Sequence, residues 1–260
     1  MTEEERKQRA LGCVLACRDY GEADRIVTFF TAERGKLKGI AKSARKSAKR
    51  FSNAIELFSL SQIIFSRRRA GTLYLIEDCH VVNHYSRIRE DLEKTLAASY
   101  FIELIDLFSL EEKPAAHLFD HLKTFLDLLE DGPFSASLVR LFELRLLNLC
   151  GYEPALERCA RCGVPLDTGE KIMFCAEDGG ISCSRCRRDT AVGIRVSAGT
   201  VKTLITGKHL PPDKLRRLVF SGQALRESEE ILTRFIVHVL GKQPRSLHVF
   251  REVLLLGNRR

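Results

Sequence analysis

No stretch of the 260-residue sequence approaches the roughly 18 to 20 uninterrupted apolar residues of a membrane-spanning helix. The opening residues are charged at once and hold no apolar run long enough for a signal peptide, so a cytoplasmic location with no membrane partner is expected. Residues 34–50 contain no Asp or Glu. Nucleotide-loop chemistry is also missing: Lys42-Ser43 follows Ala41, with no glycine in the register that G-x-x-x-x-G-K-[ST] requires. His117 and His121 stand one helical turn apart, but Leu118 occupies the place where a catalytic H-E-x-x-H needs its glutamate. They are read as surface or capping histidines. There is no G-x-S-x-G elbow and no cysteine with an arguable histidine partner. The chain proposes no reaction and is read as a non-enzyme.

What is present begins with four cysteines, Cys159, Cys162, Cys183 and Cys186, spaced C-x2-C-x20-C-x2-C. Each C-x-x-C turn places two thiolates on one side of a loop, and two such turns supply the four tetrahedral ligands that Zn²⁺ prefers. The bland alternative is four buried or disulfide-bonded cysteines. A four-thiolate site is full, so one zinc here is expected to be structural, and its binding doubles as folding free energy for a segment too short to fold alone. Between the pairs, Asp167-Thr168-Gly169 and Asp178-Gly179-Gly180 mark turns around a short strand at 171–175. Cys175 lies outside both turns and is read as a bystander. Cys13, Cys17, Cys79 and Cys150 are read as small core hydrophobes in a reducing compartment.

Charge is uneven along the chain. Residues 1–90 hold 18 Lys and Arg against 11 Asp and Glu, residues 91–130 hold 3 against 9, and the remainder 21 against 14. The net charge of +8 with clustered cations points to nucleic acid or another anionic surface. The acid-free block carries Arg34, Lys36, Lys38, Lys42, Arg45, Lys46, Lys49 and Arg50, whose fields add. A solvated basic loop is the alternative to a polyphosphate track. In Lys36-Leu37-Lys38 strand alternation puts both lysines on one face, and Gly35 and Gly39 permit a ligand to approach the backbone. Phe51, Phe58, Phe65 and Tyr74 could supply stacking platforms for unpaired bases, but at strand spacing such residues are more often core. No base-reading element is evident.

Short strands are predicted at 12–17, 24–31 and 36–41, followed by a hairpin of 57–65 and 72–82 whose loop carries Arg67-Arg68-Arg69. Five strands in so short a span suggest an OB-type barrel over residues 1–86. Beyond it the apolar period becomes helical, in stripes Leu92, Leu96, Tyr100, Leu104; Leu118, Leu122, Phe125, Leu126, Leu129; and Leu138, Leu141, Phe142, Arg145, Leu149. Ser197 and Ser221 are N-cap candidates, Pro211-Pro212 starts a short helix, and a last helix ends near Leu256. The expected architecture is α+β multidomain: the barrel, then a helical domain over 87–260 with a zinc-binding insertion at 155–190.

The run GCVLACRDYGEADRIVTFFTAERGKLKGIAKSARKSAKRF, residues 12–51, resembles the opening of the bacterial recombination mediator family RecO, and CGYEPALERCARCG, residues 150–163, resembles the entry to that family's zinc-bearing part. The resemblance implies binding to single- and double-stranded DNA, annealing of complementary strands, nucleoid association, and partnership with RecR and the C-terminal tail of single-stranded DNA-binding protein to help load RecA. It marks the cations of 36–50 as the DNA track and the four C-x-x-C cysteines as zinc ligands. Ser43 stands where the family usually has glycine, and Cys175 is outside the usual ligand set. The competing reading is a zinc-stabilised module that binds RNA or protein. A zinc hydrolase is disfavoured by the full coordination shell.

Overall fold

The computed structural model describes residues 7–67, 72–165, 172–186 and 193–257; the side chains of residues 48, 49 and 253–257 lie outside that description. Two compact units are present, Met1–Gly132 with Ser246–Arg260, and Pro133–Arg245.

The first unit opens with strands β1 (Gln8–Tyr20), β2 (Asp24–Thr31) and β3 (Gly35–Ala41), a short helix α1 (Ala48–Phe51), and strands β4 (Leu60–Arg67) and β5 (Tyr74–Asn83). They close into a barrel in the order β1-β2-β3-β5-β4. All pairs are antiparallel except β3 with β5, and this is the five-stranded OB-type arrangement expected from the sequence. Alternate inward residues, among them Val14, Val27, Phe29, Leu37, Ile63, Phe65 and Ile76, form the core, and Phe51, Ala54 and Ile55 join the same cluster. Cys13 and Cys79 are buried and Cys17 half-buried. Burial pushes the Cys79 thiol up to about 12, below which it stays a neutral packing group.

The parallel β3–β5 pairing runs only from Gly39 to Ala41, which leaves the first half of β3 without a strand neighbour on that edge. The loop at 110–113 fills the gap. Lys36 N–H donates to the Leu110 carbonyl (3.5 Å), and Glu112 N–H donates to that of Lys36 (3.2 Å). Gly35, at φ +61°, lies where a Cβ would stand 2.1 Å from the Lys113 carbonyl oxygen, and a Cβ on Gly39 would meet the Ile76 side chain at 2.4 Å. The close approach that these glycines permit is therefore the chain's own, not a ligand's.

Helices α2 (Ser86–Glu90), α3 (Leu92–Phe108) and α4 (Ala116–Asp131) complete this unit, together with α8 (Arg245–Gly257), which returns from the far end of the chain. α3 is buried around most of its circumference, including Ala97, Tyr100, Phe101, Leu104 and Ile105, while Leu92 is exposed. Phe250 of α8 stacks on Tyr100 (6.0 Å between centroids), and Glu103 accepts from Ser246 N–H (2.8 Å) and from its hydroxyl. Glu130 accepts from the free N–H groups of Arg87 and Ile88 at the start of α2. His117 is exposed as expected, whereas His121 is buried with its ring 4.7 Å from that of Phe125. The surface reading of His121 fails because its side of α4, shared with Leu122, Phe125 and Leu129, is buried.

The second unit comprises α5 (Ala136–Leu149), strands β6 (Ile172–Cys175), β7 (Gly180–Ser182) and β8 (Ile194–Val196), α6 (Ala198–His209), a 3-10 turn at Pro212–Arg217, and α7 (Gly222–Leu240). Ser197 and Ser221 cap α6 and α7, accepting from Thr200 N–H and Ala224 N–H. Arg145, a member of the predicted α5 stripe, donates to the Gly207 carbonyl (2.8 Å) and to that of Leu210, so it closes the C-terminus of α6. The small sheet, ordered β7-β6-β8, is inserted among these helices and packs Phe174 edge-on against Phe235 of α7 (5.9 Å).

Candidate nucleic-acid interface and metal centre

The cysteine cluster is built by two knuckles. After Cys159 the chain turns so that Gly163 N–H reaches the Cys159 carbonyl (2.9 Å), with Gly163 at φ +72°. The second knuckle places Cys186 N–H on the Cys183 carbonyl (3.1 Å). Ala160 N–H to Ile181, and Arg161 bidentate to Asp178 (2.6 and 2.7 Å), lock the first knuckle to the β6–β7 hairpin. As a result the four Sγ atoms of Cys159, Cys162, Cys183 and Cys186 all lie within 4.8 Å of one another. A tetrahedron with metal–sulfur arms of ~2.3 Å has edges of about 3.8 Å, and the Cys162–Cys183 edge measures 3.8 Å. These residues fit a tetrahedral metal ion. Cys175 is not among them.

The thiols divide their charge unequally. Burial opposes ionisation of Cys159, but N–H groups of Cys183, Cys162 and Arg161 outweigh it and bring the thiol down to about 6. Cys186 is pushed up to about 12, first by its hydrogen bond with Cys162. One thiolate forms readily and makes the next costly, so a divalent cation is what would let all four ionise together.

The predicted cation track sits along β3 and the turn that follows it. Ser43 adopts φ +57°, in the left-handed region that glycine tolerates best, and its N–H donates to Asp24 Oδ1 (2.8 Å). Arg45 N–H donates to the Ala23 carbonyl (3.0 Å), docking the turn at 42–46 on the β1–β2 turn. In OB folds the β1–β2 and β4–β5 loops and the β2–β3 face are where oligonucleotides bind.

The eight cations are not equivalent. Lys38, Lys42 and Lys46 are exposed and make no ion pair among the described residues. Lys36 is tied down instead: its Nζ donates to the Asp106 carbonyl (2.8 Å) and pairs with that carboxylate (3.2 Å). Arg45 leans on Asp19 (3.5 Å) and the Gly21 carbonyl (3.3 Å). Arg50 donates to the Lys42 carbonyl (2.9 Å) and lies over the Phe51 ring (5.0 Å). Arg34 lies 5.7 Å from the Phe65 ring centroid. Lys49 belongs to α1, with its side chain outside the described residues, as are Arg68 and Arg69.

Two concavities flank the track. One of 320 Å³ is bordered by Arg34, Lys36, Arg67 and Tyr74 together with the acids Glu33 and Glu112. The other, of 550 Å³, brings Lys42 and Arg50 together with Arg67 and with Lys7, which pairs with Glu77 in the same lining (3.1 Å). Lys7 was not singled out from the sequence, since only barrel closure carries the start of β1 to that rim. The stacking candidates are all interior: Phe51, Phe58, Phe65 and Tyr74 are at most 6% exposed. Phe65 and Tyr74 enter the barrel core from β4 and β5, Phe51 joins it from α1, and Phe58 is buried in the turn before β4, so none offers an open ring face.

A closed OB-type barrel with a cation-rich rim, followed by helices that carry a four-cysteine ribbon, defines the class of this protein. A family model described as "Recombination protein O N terminal" matches residues 6–85, and one described as "Recombination protein O C terminal" matches residues 89–248. The chain belongs to the recombination protein O family. Among curated relatives, the "DNA repair protein RecO" of Syntrophus aciditrophicus (strain SB) is 44% identical over 248 residues, spanning 95% of this chain and 96% of that one. Those of Anaeromyxobacter dehalogenans (strain 2CP-1) and Geobacter metallireducens are 35% and 34% identical, spanning 91% and 94% of this chain and 93% and 97% of theirs. No helix among the described residues is long and apolar enough to cross a membrane.

Proposed function

We propose that this protein is a DNA-repair mediator that binds single- and double-stranded DNA along the rim formed by Arg34, Lys38, Lys42, Arg45, Lys46, Lys49 and Arg50, with Lys36 bracing that rim. It anneals complementary strands and helps to load RecA onto coated single strands, with RecR and the C-terminal tail of single-stranded DNA-binding protein as partners. It acts at the nucleoid in the cytoplasm and catalyses no covalent step. The observation that carries this reading is the acid-free set of exposed lysines on an OB-type barrel, in a family whose relatives are named for DNA repair.

Two single strands repel through their phosphates, and a protein that neutralises both lowers that repulsion while leaving base edges free to pair. ATP is not needed for this step. Zinc held by Cys159, Cys162, Cys183 and Cys186 supplies folding free energy to the ribbon and leaves no coordination position for a substrate.

The direct test is the annealing rate of complementary oligonucleotides coated with single-stranded DNA-binding protein, without ATP. Acceleration that fades with salt is expected, and the triple variant K38E/K42E/K46E should slow annealing by roughly ten-fold or more and lessen the salt slope by about 2. These lysines are chosen because their side chains make no ion pair or hydrogen bond among the described residues. Unchanged annealing in the variant would remove the rim from the assignment. Binding without acceleration by the natural chain would favour the RNA- or protein-binding module instead.

A further inference from the structure

A second concentration of positive charge lies in the other unit, far along the chain from the barrel rim. From residue 179 to residue 226 the sequence holds ten Lys and Arg against only Asp189 and Asp213. The cations are spaced apart, so no single window resembles the block at 34–50, but α6 and its flanks bring several of them to the surface.

α6 buries Thr200, Val201, Leu204 and Gly207. At 100° per residue the opposite side carries Lys202, Thr206 and His209, all exposed. Lys202 and His209 are two turns apart on that side, a rise of about 10 Å. Arg195 stands exposed between buried Ile194 and Val196 in β8, just before the helix. Just after it, the 3-10 turn anchors Leu215 in the core at 1% exposure and leaves Lys214, Arg216 and Arg217 at the surface. The ledge is pre-ordered: Ser197 caps one end of α6, Arg145 closes the other, and Pro211-Pro212 stiffens the exit.

Some other cations of this unit are engaged with acids. Lys208 pairs with Glu153 and Glu157, Arg161 with Asp178, and Arg234 with Glu230. Lys202, Lys214 and Arg217, by contrast, make no ion pair among the described residues. Acids border the ledge, with Asp213 exposed in the 3-10 turn and Glu227 bonded to Ser197 and Thr200 at the start of α6. Lys202, Lys214 and Arg217, which no acid among the described residues engages, still present like charges on a pre-ordered surface that suits an extended polyanion, and a single strand offers one charge per ~3.4 Å.

We propose that the ledge of Arg195, Lys202, His209, Lys214, Arg216 and Arg217 is a second polynucleotide-binding surface, so that one chain holds two strands at once, one at the barrel rim and one at α6. This inference rests on the DNA-binding reading of the rim and extends it to the annealing step, which needs two strands on one scaffold.

The test is a titration of the full chain with a short fluorescent oligo(dT), read as strands bound per chain, together with the annealing rate. The natural chain should bind two strands. K202E/K214E/R217E should bind one and lose the salt slope of the second site, about 2 for three single-strand contacts at ~0.7 each. K38E/K42E/K46E should also bind one, and the six-fold combination none; either triple should slow annealing by about ten-fold or more. Folding is checked by metal content and thermal melting. If the glutamate triple is unfolded, K202Q/K214Q/R217Q takes its place with the same expectation.

A chain that binds a single strand, with K202E/K214E/R217E unchanged in stoichiometry and annealing, would overturn the second surface while leaving the rim intact. A natural chain that binds no oligo(dT) would overturn both readings. If K38E/K42E/K46E binds a poly-glutamate peptide but no oligonucleotide, the ledge is an acidic-peptide site and the proposal fails.

Discussion

Gly35 and Gly21 have nearly the same backbone, φ +61° and +63°, and different surroundings: a Cβ on Gly35 would press on the Lys113 carbonyl at 2.1 Å, while nothing lies within 4 Å of one on Gly21. Gly21→Ala should cost about 1 kcal/mol, the left-handed penalty alone. Gly35→Ala adds a clash with backbone that cannot rotate away and should cost about 3 kcal/mol or more. Urea unfolding of the two variants checks the difference, and equal losses would mean that the 110–113 loop yields freely. The same junction explains why Lys36, although it stands in the predicted track, works as a brace: its ammonium is held by Asp106, 70 residues away in sequence. Residue type and spacing made the lysines visible in the sequence. Which ammonium is free was not, because the acid that holds Lys36 on β3 comes from the distant helix α3.

At the scale of elements, the ribbon and α6 carry separate stabilities. Chelation with confirmed metal loss should lower the melting temperature and raise hydrogen exchange in β6, β7 and β8, because the knuckles alone bury too little apolar surface. Cys159→Ser should lose the metal, while Cys175→Ser should keep one ion per chain; retention by both would show that the four-sulfur cluster is not the site. At the start of α6, Glu227 is disfavoured as a carboxylate by burial, but donors from Thr200, Ser197 and Gln223 outweigh this and hold its pKa below the ordinary 4.5. A depressed carboxylate contributes stability that is complete above the unfolded value and is lost as pH falls through the folded one. The stability difference between the natural chain and Glu227→Gln should therefore shrink as pH is lowered from ~6 to ~3, measured by urea unfolding. A constant difference would mean that Glu227 acts by packing alone. The caps at Ser197 and Ser221 were legible because capping is local; the Glu227 bonds to Ser197, 30 residues apart, were not.

For the whole molecule, α8 belongs with the barrel-bearing unit, through Phe250 on Tyr100 and Ser246 on Glu103, although it follows the other unit in sequence. A chain ending after Gly241 should show faster hydrogen exchange along α3 and keep the exchange of β6 and β7. Loss confined to the ribbon instead would contradict this pairing. The sequence by itself determined the five barrel strands, the main helical stripes that follow them, the four metal-type cysteines and the basic block at 34–50, because each rests on periodicities or spacings of a few residues; α1, α2, β7 and β8 were not legible in it. Only the tertiary structure decided that Phe51, Phe58, Phe65 and Tyr74 are core, that Gly35 and Gly39 admit the chain's own atoms, that His121 is interior, and that Lys7 shares a concavity with Lys42 and Arg50. Those outcomes depend on contacts between residues far apart in sequence, created when the barrel closes and α3, α4 and α8 pack together, and no local pattern encodes which surface such closure leaves outside.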